Sequence, residues 1–126
     1  MEKLSYIDEK GNIKLVRGDT LAFKFQRKDA EGQVITTQSE KMWFTVKLDT
    51  YSKDKIIQKT LDSGIMYDDT DNSYHIIIQH NDTKDLFYMD YVYDIQVEND
   101  GVVATIKKAK LIIKDEVTFE GGSNND

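Results

Sequence analysis

At 126 residues, with 23 acidic against 17 basic side chains and a formal charge of −6, the chain has the length of one domain and the wrong overall sign for general binding to a phosphate backbone. It holds no cysteine, which excludes disulfides and thiolate chemistry, and no run of roughly 18 apolar residues that would cross a membrane as a helix. The first residues, Met1 to Ser5, are not followed by an apolar leader segment, so synthesis in the cytoplasm is the expectation.

Leu4 and Tyr6 suggest a short first strand, and Asp8 to Asn12 a turn. Ile13 and Leu15 resume an alternation that Arg17-Gly18-Asp19-Thr20 interrupts. Leu21, Phe23 and Phe25 then alternate with Ala22, Lys24 and Gln26, a period of two that marks a strand with one buried face. Asp29 to Gly32 reads as a turn, with Val34 and Ile35 extending a neighbouring edge. Met42, Phe44, Val46 and Leu48 form the inward set of another strand, with Trp43 on its opposite face. Ile56 to Leu61 and Ile65 to Tyr67 are short strands separated by Ser63-Gly64. Tyr74, Ile76 and Ile78 point inward from the next, leaving His75, Ile77 and Gln79 outward.

Asn81-Asp82-Thr83 reads as a helical turn in which Asp82 or Thr83 caps exposed backbone N–H groups. Leu86 and Phe87 are expected to return the chain to the core. Tyr91, Tyr93, Ile95 and Val97 share one face of a long strand, and Asp100-Gly101 predicts a tight hairpin, because both residues tolerate positive φ. In the returning strand, Ala104 and Ile106 have one parity and Leu111 and Ile113 the other. A bulge between Lys107 and Lys110 would reconcile them.

Seven or eight short strands of this kind specify an all-β fold: an antiparallel β-sandwich, immunoglobulin-like in preference to a closed β-barrel. The domain is expected to span residues 1–119, followed by a polar tail or linker start at 120–126. Phe23, Phe44, Ile76, Tyr93 and Ile95 are predicted to be buried. With no proline in the chain, exposed sheet edges must be protected by charge, bulges or a partner.

Candidate chemistry is sparse. His75 and His80 stand without cysteine, and a zinc site needs three or four converging ligands. Asp68, Asp69, Asp71 and Asn72 crowd oxygen atoms into one loop, a weak calcium candidate, but the EF-hand order is missing and a solvated turn is the better reading. Arg17-Gly18-Asp19 and Asn81-Asp82-Thr83 read as turn and cap rather than adhesion and glycosylation signals. Asp94 and Glu98 lie about 13 Å apart along one strand, too far for a two-carboxylate sugar hydrolase. No serine or threonine has an identifiable histidine partner. The expectation is therefore no enzyme and no catalytic residue. Trp43, Ile77, Tyr88, Val117 and Phe119 are the candidate interface residues.

Several stretches together carry a family resemblance: Gly18-Asp19-Thr20 with Phe23 and Phe25; Phe44-Thr45-Val46; Tyr74, Ile76 and Ile78; Asp82-Thr83 with Leu86; Tyr91, Tyr93-Asp94-Ile95; Thr105-Ile106 leading to Leu111-Ile112-Ile113; and Asp115 to Thr118. This resembles the small β-sandwich proteins and modules of tailed phages that infect Gram-positive bacteria, including the N-terminal modules of baseplate proteins. Where such sequences often have a glycine suited to a bulge, this chain has Ala109. The resemblance implies a structural and assembly role in a virion tail or baseplate, with phage structural proteins or further copies of the chain as partners, and neither nucleic acid nor membrane insertion. The Asp82-Thr83 turn before Tyr91 and Tyr93 is also similar to the tyrosine-corner region of immunoglobulin-like sandwiches, which implies a tyrosine hydroxyl bonded to backbone near that turn. The alternatives are a carbohydrate-binding module that stacks sugars on exposed aromatic rings, and an uncharacterised hydrolase.

Overall fold

The computed structural model describes residues 4–115. Within them lie β1 (Tyr6–Ile7), β2 (Ile13–Val16), β3 (Leu21–Gln26), β4 (Lys41–Lys47), β5 (Ile57–Leu61), β6 (Gly64–Asp68), β7 (Ser73–Ile78), a single helical turn α1 (His80–Thr83), β8 (Asp90–Asn99) and β9 (Val102–Lys114). The strands pair in the order β1-β2-β9-β8-β4-β5-β6-β7-β3. Most pairs are antiparallel, but β2–β9 and β5–β6 are parallel. The result is a nearly all-β sandwich in which one mixed sheet of nine strands runs through both layers, leaving it nearly closed into a barrel. One layer is built on β4, β8 and β9, the other on β6, β7 and β3.

The layers meet through the inward residues of each strand. Phe23 of β3 reaches across to Phe44 of β4, edge to face at 6.1 Å between ring centroids, and Phe44 leans on Tyr93 of β8 at 5.1 Å. Phe44, Val46, Ile65, Ile76, Ile78 and Leu111 are sealed from solvent, with Tyr74, Tyr93 and Ile95 nearly so. Phe23 and Phe25 depart from expectation: both are only half-buried. Among the described residues their strand pairs with β7 on one side and with nothing on the other, so none of those strands covers their outer flank. Leu48 is also exposed, because β4 ends at Lys47 and the inward alternation ends with it. Leu86 packs against the core, but Phe87 is 81% exposed.

The hairpin between β8 and β9 forms as expected. Asn99 pairs with Val102, and the two loop residues have φ of 54° at Asp100 and 77° at Gly101. These left-handed values match a primed turn, whose twist suits the flanking strands. The register irregularity exists, one position before its expected window. Ile95 pairs with Lys107 and Gln96 with Thr105, leaving Ile106 as the extra residue. Lys107 to Lys110 themselves run in regular register, and Ala109 stands opposite Tyr93 without positive φ. The shift turns Lys107, Ala109, Leu111 and Ile113 to the inner side.

The chain changes layer between β5 and β6. Asp62, at φ 66°, and Gly64, at φ 100°, turn it sharply. β5 keeps its pairing with β4 while β6 joins β7. Strands that switch sheets at such bends form the corners of sandwiches.

Candidate functional site

β1 and β3 stand at the two ends of the strand order and do not pair with each other among the described residues. Between them lies an open groove of about 400 Å³. One wall is β3 with Phe23 and Phe25; the other is Ile7 and the following Asp8-Glu9 turn. Tyr93 and Ile95 of β8 and Ile106 and Lys107 of β9 form the floor, and Ile35 bounds one end. Ile35 is placed there by a short excursion after β3, in which its N–H donates to Arg27 O (2.8 Å) and Lys28 bridges Val34.

The floor is fastened to the wall. The Tyr93 hydroxyl donates to Gly11 O, and Gly11 has φ of 89°. A Cβ at Gly11 would lie 2.1 Å from Lys107 Cε, so any other residue there would push the end of the lysine side chain aside. Burial, and then the nearby Asp8 charge, push the Tyr93 hydroxyl up to about 12. Asp8 itself accepts the N–H groups of Lys10 and Asn12, both at 2.9 Å. Because the folded Tyr93 holds its proton more tightly than an unfolded tyrosine, its contribution to stability is complete below pH 10 and is lost as pH rises towards about 12. Ultraviolet titration of the folded protein should show one tyrosine ionising near pH 12, and Tyr93→Phe should delete that component. A curve unchanged by the substitution would place the late-titrating hydroxyl elsewhere.

The opposite end of the sandwich is held by a compact polar corner. The Gly18 N–H donates to Thr83 Oγ1 (2.9 Å), and His80 Nδ1 lies 2.7 Å from Gly18 O. Thr83 is fully buried, so its hydroxyl serves the β2–β3 turn rather than its own helix. Asp82 does cap α1, accepting the Gln79 N–H at 2.7 Å. Asp19 accepts the Ser5 hydroxyl at 2.6 Å, and Arg17 donates to Leu86 O and lies 4.4 Å over the Tyr88 ring. The Arg-Gly-Asp stretch is thus a structural turn in this fold. Tyr91 donates to Phe87 O at 3.1 Å, four residues upstream, which is the backbone-bonded tyrosine expected at this corner.

The candidate interface residues do not converge. Trp43 is half-buried on the outer side of β4, between Thr60 and Gln96. Ile77 is half-buried on β7 opposite Ala22, in the other layer. Tyr88 lies in the loop before β8, beneath Arg17. Val117 and Phe119 lie outside the described residues, as do the domain end at 119 and the tail at 120–126. Trp43 and Tyr88 therefore do not make one aromatic platform.

The acidic loop turns its oxygens on itself. Asp68 accepts the Thr70 hydroxyl (2.6 Å) and N–H (3.0 Å), bonds that hold its carboxyl below the usual range. The Ser73 hydroxyl does the same for Asp71. Asp71 also meets Lys24 Nζ at 3.4 Å. Among the described residues, no group of three or more histidine or acidic side chains is placed to hold a metal ion.

The groove could not have been assembled from sequence motifs, because its residues come from four strands and two loops. One signal was present. Lys107 has the parity of Ala109, Leu111 and Ile113, which places it inward once the bulge is put at Ile106.

No family model matches the chain, and no curated protein matches it. Among solved structures, that of NKp44, described as an NK cell receptor and a triggering partner in natural cytotoxicity, is similar over 82% of this chain and 96% of that one. The identity is 13% and the TM-score 0.49, a level that bears on neither the family nor the function of this protein.

Proposed function

We propose that this chain is a non-enzymatic structural module that joins other proteins in a phage tail or baseplate assembly. One observation carries the reading: β3 presents an edge that no described strand pairs, beside the half-buried rings of Phe23 and Phe25. An edge of this kind is a template for a partner strand, and aromatic surface left half-covered gains further burial when one arrives. The sequence resemblance supplies the setting, with phage structural proteins as partners and the virion tail or baseplate as the place of action. An association of the standard kind buries about 1,200–2,000 Å².

The test is mass measurement of the purified protein alone and mixed with purified tail and baseplate proteins, run beside a glycan-binding screen. A defined complex with a tail component is the expected result. Saturable binding to one glycan, with no association to any tail component, would replace this function with sugar recognition.

A further inference from the structure

We propose that the groove between β1 and β3 receives residues 116–120 of a second copy of this chain, added as a strand along β3. This rests on the reading of the protein as an assembly module and names the partner of its open edge.

The groove has a defined chemistry. Its apolar surface comes from Phe23, Phe25, Ile35 and Ile106. Its charges run against the chain as a whole. Arg27, Lys28 and Lys107 line it, and none of the three has an ion-pair partner among the described residues. On a protein of net charge −6 this is a local cationic site, opposed only by Asp8 and Glu9 on the far wall. An entering strand should therefore alternate apolar residues, turned to the floor, with acidic ones that meet the cations.

The sequence Glu116-Val117-Thr118-Phe119-Glu120 has that alternation. Val117 and Phe119 share one side, and Glu116, Thr118 and Glu120 the other. Chain length decides which copy supplies it. β9 ends at Lys114, and Lys107, which lines the groove, is seven residues earlier in the same strand. That separation is about 23 Å. Val117 can lie at most about 11 Å and Phe119 at most about 18 Å from Lys114, both short of Lys107, so a chain's own segment cannot reach the Lys107 end of its groove. A neighbouring copy has no such restriction. The contact is heterologous, joining the end of one copy to the edge of another, and it builds either a ring or an open row.

The experiment uses the full chain and a synthetic peptide covering residues 115–121. Sedimentation across a concentration series should show reversible growth in mass. The peptide should suppress that growth and slow exchange of β3 amides in Leu21–Gln26. Val117→Ser with Phe119→Ser should weaken self-association by about tenfold or more. Arg27→Glu with Lys28→Glu should weaken it from the receiving side, and both variants should melt like the parent. Mixing the two variants distinguishes the faces, because each retains the half that the other lacks and they should form a dimer.

A chain that stays monomeric at every soluble concentration and does not bind the peptide overturns the proposal. So does self-association that neither pair of substitutions weakens, or peptide protection that falls on strands other than β3. The assembly function is separable. A Val117→Ser, Phe119→Ser variant that still joins a tail protein while the parent shows no self-association would leave that function standing and remove this inference.

Discussion

Phe44→Ala is expected to cost about 3–5 kcal/mol of folding stability, the upper range for core truncations. The ring is fully enclosed and sits where the two layers touch. It meets Phe23 from the opposite layer and Tyr93 from its own. Its strand neighbours at that level are Lys59 and Ile95, so the ladder fixes the backbone on both sides and limits collapse into the vacated space. Loss of the ring removes transferred apolar area and leaves a cavity. For a domain of this size the midpoint of thermal unfolding should fall by roughly 10–20 °C. Phe23→Ala is the control. Its ring touches the same cluster but is half-open to the groove, so its loss should be clearly smaller. Denaturant unfolding of both variants gives the comparison. Equal losses would mean that the groove side is as well sealed as the centre, and a loss below about 1 kcal/mol at Phe44 would remove it from the core.

The contrast between these two phenylalanines shows what the sequence could and could not display. Leu21, Phe23 and Phe25 have the same alternation as Met42, Phe44 and Val46, and both triplets do turn inward. Alternation reports which face of a strand is apolar, not which strands flank it. β4 lies between β5 and β8, whereas β3 ends the sheet order, and only that difference in pairing separates a sealed ring from a half-exposed one. The Asp100-Gly101 hairpin was legible because its signal is local: two adjacent residues whose φ values decide the turn. The bulge was legible as a conflict of parity, but the conflict allows several positions between Ala104 and Leu111. The pairing of Ile95 with Lys107 selects one. The parallel contacts β2–β9 and β5–β6 had no local signature at all. The groove inherits that difficulty, since Ile7, Phe23, Ile95 and Lys107 become neighbours only through the complete strand order.

The layer-switching corner should be nearly as sensitive as the core, and Gly64→Ala is expected to cost about 2–5 kcal/mol. Two effects add. Gly64 has φ of 100°, which a residue with a Cβ adopts at a cost of about 1–2 kcal/mol. A Cβ built there would also lie 2.4 Å from Lys59 Cδ and 2.9 Å from Lys59 Cβ, and crowding of this kind costs about 1–3 kcal/mol. Lys59 has little freedom to withdraw. It is directly opposite Phe44 in the ladder, which turns its stem to the inner side, and its ammonium meets Asp82 Oδ2 at 2.7 Å. That oxygen also accepts the Gln79 N–H that starts α1, so displacing the lysine disturbs a contact joining β5 to the helical turn. The double variant separates the two causes. Lys59→Ala removes the Cδ and Cγ atoms in the way but keeps the Cβ at 2.9 Å, so in that background Gly64→Ala should retain the backbone cost of about 1–2 kcal/mol and part of the crowding. Denaturant unfolding of the parent, both single variants and the double variant gives the coupling directly. An identical cost for Gly64→Ala in both backgrounds would clear the outer stem of Lys59 and leave the effect to φ and the Lys59 Cβ contact.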